Sequence, residues 1–218
     1  MSNQTNFINP TAGKQTSVMT NQKWGGLASF LMAVALIVAP SIYLVGDLRT
    51  ALGPWTYALA DFLYGPVWAA SLIMAVITLR ERIGEYAPRR MTLALLVALA
   101  AAGAFVAVAC IRAANRQYHL LHPDLNLENS IPVLVVWATL VAGMIGAGWH
   151  SMGWVLVLLG SAGWTSRRIP RVLSVLYLAA GINALFVYAL PVLEGSSVAL
   201  GVVVSIWQGI LLWKTEPG

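Results

Sequence analysis

No charged residue stands between Glu128 and Arg167, and this interval constrains the fold more than any other feature of the chain. Its central part reads VAGMIGAGWHSMGWVLVLLG, with His150 in the middle of a long apolar run. A single helix over 131–166 would run about 54 Å at 1.5 Å per residue. A bilayer core is roughly 30 Å thick. The interval is therefore too long for one ordinary membrane span and barely long enough for two.

Composition supports the membrane reading. Hydrophobic residues make up 59% of the 218 residues and charged residues only 10%, whereas a soluble domain carries about 25% charged residues. Mean hydropathy is +0.75. Apolar runs cover 25–46, 55–79, 91–111, 131–166, 172–193 and 197–213, and they approach or exceed the ~20 residues that cross a bilayer. The expectation is an all-α polytopic membrane protein, a bundle of six transmembrane helices with an overlong fourth helix, occupying residues 23–214. Residues 1–22 are polar and rich in Asn, Thr, Ser and Gln, which predicts a disordered tail. Residues 215–218 form a second short tail. Pro40 follows Ala39, the most plausible small-residue cleavage point, so the first run reads as a retained helix rather than a signal peptide.

Charge placement decides whether the long interval is one span or two. Threaded as one span, it gives six helices and puts both termini on one side. Lys14, Lys23, Arg80, Arg82, Arg89, Arg90, Arg167, Arg168, Arg171 and Lys214 then share that side, and only Arg49, Arg112 and Arg116 face the other. Ten against three is the asymmetry of the positive-inside rule, and it predicts cytoplasmic termini. Splitting the interval moves four of the ten across and erases the bias. Trp24, Trp164 and Trp213 stand beside basic residues on the same side, where an aromatic belt belongs. The basic residues flank apolar runs, so the net charge of +5 marks orientation and not a nucleic-acid face. The lipid bilayer is the partner that composition implies; membrane-complex partners or a homo-oligomer remain open.

Measured from the basic residue at each cytoplasmic helix end, five polar side chains reach a similar height. Asp61 and His150 stand about 28 and 25 Å up, Tyr43 and Tyr188 about 30 and 25 Å, and Arg112 about 33 Å. Asn183 falls near mid-membrane and Gln208 lower. Gly146, Gly153 and Gly160 recur every seven residues, a smooth stripe for close helix packing. His150 lies within about 60° of Gly146 and Gly153 and is expected to point into the bundle. Gly201, Ser205 and Gly209 form a similar seam in the last helix, and Pro40 and Pro66 are expected to kink helices one and two. A charged aspartate in a bilayer must be paired or protonated. Asp61 therefore reads either as the centre of an outer-leaflet ligand-binding pocket, with Arg112 or His150 as its partner and Tyr43 and Tyr188 beside it, or as part of a structural pair pinning helices together.

A second constellation lies in RAANRQYHLLHPDLNLENS, residues 112–130, expected to form an outer loop. His119, His122 and Asp124 are of types that bind zinc or another divalent cation. The interleaved leucines equally suit a plain connector lying in the membrane interface. No glycine-rich phosphate loop, HExxH, nucleophile elbow or CxxC occurs, and no lysine lies inside a span. No catalytic residue is assigned and no cofactor is identified.

Residues GWHSMGWVLVLLGSAGWTSRRIPRVLSVLYLAAGINALFVY resemble a bacterial family of six-helix membrane proteins, domain-of-unknown-function family 4386, over residues 141–190. The resemblance implies a helical bundle in the bacterial inner membrane and carries over no site residue. Three functional expectations stand side by side. One is a non-enzymatic protein binding a small molecule, lipid or proton in the outer pocket, as a transporter or sensor would. The others are a structural or accessory subunit of a membrane complex, and a metal-dependent intramembrane enzyme.

Overall fold

The computed structural model describes residues 11–44, 53, 55–122 and 131–214, without the side chains of 11–20, Leu44 and His119. Among the described residues six helices follow one another: α1 (Thr11–Leu44), α2 (Trp55–Ile83), α3 (Pro88–Leu121), α4 (Ile131–Ser166), α5 (Arg171–Leu185) and α6 (Glu194–Lys214). A 3₁₀ turn, Pro191–Leu193, leads into α6. No strand occurs among the described residues. Each helix packs on the next, and α6 returns to α1, which closes a ring. Five of the six are long and apolar enough to cross a membrane, and α5 is a shorter apolar helix. The chain is an all-α integral membrane protein.

Glycines set how closely the ring packs. A methyl group placed on Gly153 would lie 2.9 Å from the Gly181 carbonyl oxygen, and one on Gly181 would lie 2.8 Å from that of Gly153. Gly160 faces Ser174 and Leu178, and Gly146 faces Tyr188. The whole seven-residue stripe of α4 thus meets α5 and the turn after it, where close backbone approach gives dispersion contact that lipid cannot match. Between α1 and α6, Gly26 packs on the Gly209 backbone, Gly209 receives Phe30, and Gly201 receives Leu36. At the bundle centre Met32, Leu72, Met152 and Val204 surround a void of about 10 Å³, room for about one water. The bundle axis is closed at that level.

The arginine-rich turns interlock. Arg90 donates to the Ser161 carbonyl at 3.0 Å and to Thr165 Oγ1 at 2.8 Å, which ties the start of α3 to the last turns of α4. Arg82 donates to the Arg168 carbonyl at 3.4 Å, while Arg168 donates to the Tyr86 hydroxyl at 2.8 and 3.1 Å. That hydroxyl holds the exposed Arg168 guanidinium above its ordinary basicity. Arg167 takes the left-handed position that ends α4, with φ 57°, and its N–H reaches the Gly163 carbonyl at 3.2 Å.

Four boundaries differ from expectation. Helix α1 starts at Thr11, so 11–22 is helical and not a disordered tail. That stretch has no proline and one charge, and extending an existing helix costs far less than starting one. Helix α3 continues to Leu121 instead of ending at Ile111; Arg112–Leu121 holds no glycine or proline, and Pro123 is the next breaker. Helix five stops at Leu185 and not at Leu193. Pro191 would clash with a carbonyl one turn earlier and pushes Leu190 to φ −131°, ψ 79°. The Asn183 amide donates at 2.8 Å to Ser196 Oγ and Ser197 Oγ. Asn183 therefore ties the end of α5 to the start of α6, which begins at Glu194 rather than at Ser197. Pro66 lies in a π turn, Leu63–Val67, where a widened backbone ring absorbs the missing N–H. Residues 1–10 and 215–218 lie outside the described residues.

Candidate functional site

Asp61 stands two residues before that π turn and is 3% exposed. Two neighbouring helices, α1 and α3, supply its partners. The Tyr43 hydroxyl of α1 donates to Oδ1, and the Arg116 guanidinium of α3 donates to Oδ2 in a close charged contact. Arg112, one turn earlier on α3, lies 3.5 Å from Oδ1. The Arg112 guanidinium also covers the Tyr43 ring at 4.7 Å from its centroid, and Tyr57 stacks on Tyr43 at 5.5 Å. Burying a carboxylate costs several kcal/mol, and here both of its oxygens are occupied by donors.

Arg112 and Tyr43 also form part of the wall of a cleft of about 860 Å³ between α1 and α6, which Tyr64 of α2 and Ile145 of α4 also line. That volume lies within the ~300–1,000 Å³ of small-molecule sites. Leu36, Ile37, Val198 and Val202 make an apolar strip of its lining, with Tyr64 and Glu194 as further polar groups. Glu194 opens α6 and accepts from Trp149 Nε1 at 3.4 Å.

His150 belongs to a different place. Its Nε2 accepts from Trp154 Nε1 at 3.2 Å, and its Nδ1 lies 3.2 Å from the Leu185 carbonyl oxygen. An accepting Nε2 puts the proton on Nδ1, which then donates to Leu185. The neutral ring is satisfied at both nitrogens. Tyr188, in the turn after α5 and not within that helix, packs edge-on to it at 5.3 Å. Together they line a second, open groove of about 740 Å³ with Thr139, Gly143 and Gly146. The expected single polar level is thus two sites, with Tyr43, Asp61 and Arg112 in one and His150 and Tyr188 in the other. Height along a helix does not fix direction around the bundle. His150 is not the partner of Asp61.

Arg116, Tyr57, Tyr64 and Glu194 are additions that sequence reasoning missed. Arg116 had a usable signal, since two residues four apart share a helix face, but only if α3 continues past Ile111. Of the metal candidates, His122 is exposed with its ring 4.6 Å from that of Tyr118. Asp124 and the His119 side chain lie outside the described residues. Among the described residues no group of three His, Cys, Asp or Glu side chains could hold a metal ion.

Comparison of the chain with protein-family models, with curated proteins and with solved structures finds no match.

Proposed function

We propose that this chain is a ligand-binding protein of a bacterial cytoplasmic membrane, non-enzymatic, with both termini cytoplasmic and its binding cleft in the outer leaflet. The observation that carries the reading is the incomplete engagement of Arg112. Tyr43 and Arg116 occupy the two oxygens of Asp61, and Arg112 remains at 3.5 Å on the wall of an apolar cleft. A charged hydrogen bond is normally 2.7–2.9 Å long, so Arg112 keeps donors for a ligand while Asp61 holds it in place. The positive-inside count supports the orientation, and the resemblance of residues 141–190 to domain-of-unknown-function family 4386 supports the bacterial inner membrane. The closed bundle axis favours a binding or sensing role over an open channel, and transport would require the helices to move.

Native mass spectrometry of the protein released gently from its own membrane tests this reading. A defined small mass retained by the wild type and lost in Arg112→Gln supports it. An empty cleft in every preparation sinks it.

A structural or accessory subunit is the second reading, and the bare half of α4 favours it. Val133, Leu134, Val135, Val136 and Leu140 are exposed, and Thr139, Gly143 and Ala147 repeat at four-residue spacing on an open face. Partner chains released together with an empty cleft would establish it.

A further inference from the structure

The charges lining the α1–α6 cleft select among ligands. Arg112 and Glu194 are its charged lining groups, one cation and one carboxylate. Asp61 is turned away behind Tyr43, Arg112 and Arg116. A ligand bearing only negative charge would satisfy Arg112 and oppose Glu194, and a purely cationic one would do the reverse. A molecule with both charges close together satisfies both groups.

The shape of the cleft narrows the class further. Helices α1 and α6 meet closely at Gly26 and Gly209, where an added methyl would lie 3.2 Å from backbone. They part toward Pro40 and Glu194, where the cleft opens. Ile37 and Ala199 on its rim are exposed on the apolar flank of the bundle, so the opening is lateral, toward acyl chains. Leu36, Ile37, Val198 and Val202 form a strip along the helix axes with the polar groups at one end. A water-soluble zwitterion would leave that strip unused.

We propose that the cleft holds one phospholipid whose headgroup carries a phosphate and a primary ammonium, with the phosphate on Arg112 and the ammonium on Glu194. This deepens the binding reading above and rests on it. The planar guanidinium fork matches two phosphate oxygens, and the Tyr43 ring beneath it fixes its plane. A primary ammonium donates hydrogen bonds to the Glu194 carboxylate. A trimethylated ammonium cannot donate, and a glycerol headgroup brings no positive charge. Glu194 also suits the positive end of the α6 dipole, but that role alone would not require it to line a cleft with Arg112.

The full chain, reconstituted into nanodiscs of equal parts phosphatidylethanolamine, phosphatidylcholine and phosphatidylglycerol and analysed by native mass spectrometry, tests the assignment. One retained phosphatidylethanolamine per chain is expected, favoured about tenfold over the other two, the discrimination of one charge-assisted hydrogen bond. Glu194→Gln should abolish the preference while keeping a lipid bound, and Arg112→Gln should lose the lipid. If Arg112→Gln does not fold, Glu194→Gln decides alone, because Glu194 is exposed and outside the Asp61 cluster. Equal retention of all three lipids, or an unchanged preference in Glu194→Gln, overturns the headgroup assignment and leaves the binding reading standing. No retained lipid in any mixture overturns the assignment, and no retained small molecule from the native membrane overturns the reading beneath it.

Discussion

Arg116 closes on Asp61 from one helical turn beyond Arg112, at a point in α3 where the hydrophobic pattern has already ended. The carboxylate depends on this contact, because Arg112 stands back at 3.5 Å. The two arginines therefore divide the work: Arg116 neutralises the buried charge and Arg112 faces the cleft.

That division predicts opposite phenotypes. Removing one partner of a buried pair costs about 3–5 kcal/mol, and partial exposure of Arg116 should reduce this to roughly 1–3 kcal/mol. Arg116→Gln should lower the unfolding midpoint in mild detergent more than Arg112→Gln does. Arg112→Gln should cost bound ligand instead. Equal destabilisation by the two variants, with ligand retained in both, would refute the division.

Gly153 and Gly143 lie on the same helix in opposite surroundings. A methyl on Gly153 would come within 2.7 Å of the Leu185 nitrogen, whereas one on Gly143 meets nothing within 4 Å. Gly153→Val should therefore destabilise the bundle by about 1–3 kcal/mol through overpacking, and Gly143→Ala should leave the isolated chain unchanged. Thermal unfolding of the two variants side by side checks the contrast, and a stable Gly153→Val would mean that α4 and α5 pack differently from the structure.

The turn at Arg167 offers a local test. Its φ of 57° is a conformation that β-branched residues strongly resist. Arg167→Val should cost about 1–2 kcal/mol, while Arg167→Gly should be tolerated because it loses only a favourable charge at the α4 C-terminus. Denaturation of both variants decides the point; equal stability would show that the turn relaxes to another shape.

Much of this architecture was legible in the sequence, for a definable reason. Depth in a membrane helix follows from residue count at 1.5 Å each, so Tyr43, Asp61 and Arg112 could be set at one height from the basic residues alone. The Gly146–Gly153–Gly160 stripe was legible as a packing face through its spacing. Azimuth was not legible. Whether His150 turns toward Asp61 or toward Leu185 depends on which neighbours α4 meets, and only assembly of the ring determines that. Helix ends were weak where no breaker marks them, which hid Arg116, and where a proline acts from beyond the helix, as Pro191 does on α5.

The separation of His150 from Asp61 leads to the sharpest functional prediction. His150 satisfies both ring nitrogens within α4 and α5, through Trp154 and the Leu185 carbonyl. Its removal should loosen that pair without reaching the α1–α6 cleft. His150→Phe keeps the ring and its packing on Tyr188 but forfeits two hydrogen bonds, worth about 1 kcal/mol each. It should lower the unfolding midpoint modestly and leave ligand retention at the wild-type level. Tyr43→Phe removes one hydroxyl from Asp61 and should weaken retention, since the ring that orients Arg112 would no longer be tethered. Native mass spectrometry of the two variants in the same lipid mixture reads both effects. Loss of ligand in His150→Phe with retention in Tyr43→Phe would move the site to the α4–α5 groove and reverse the assignment.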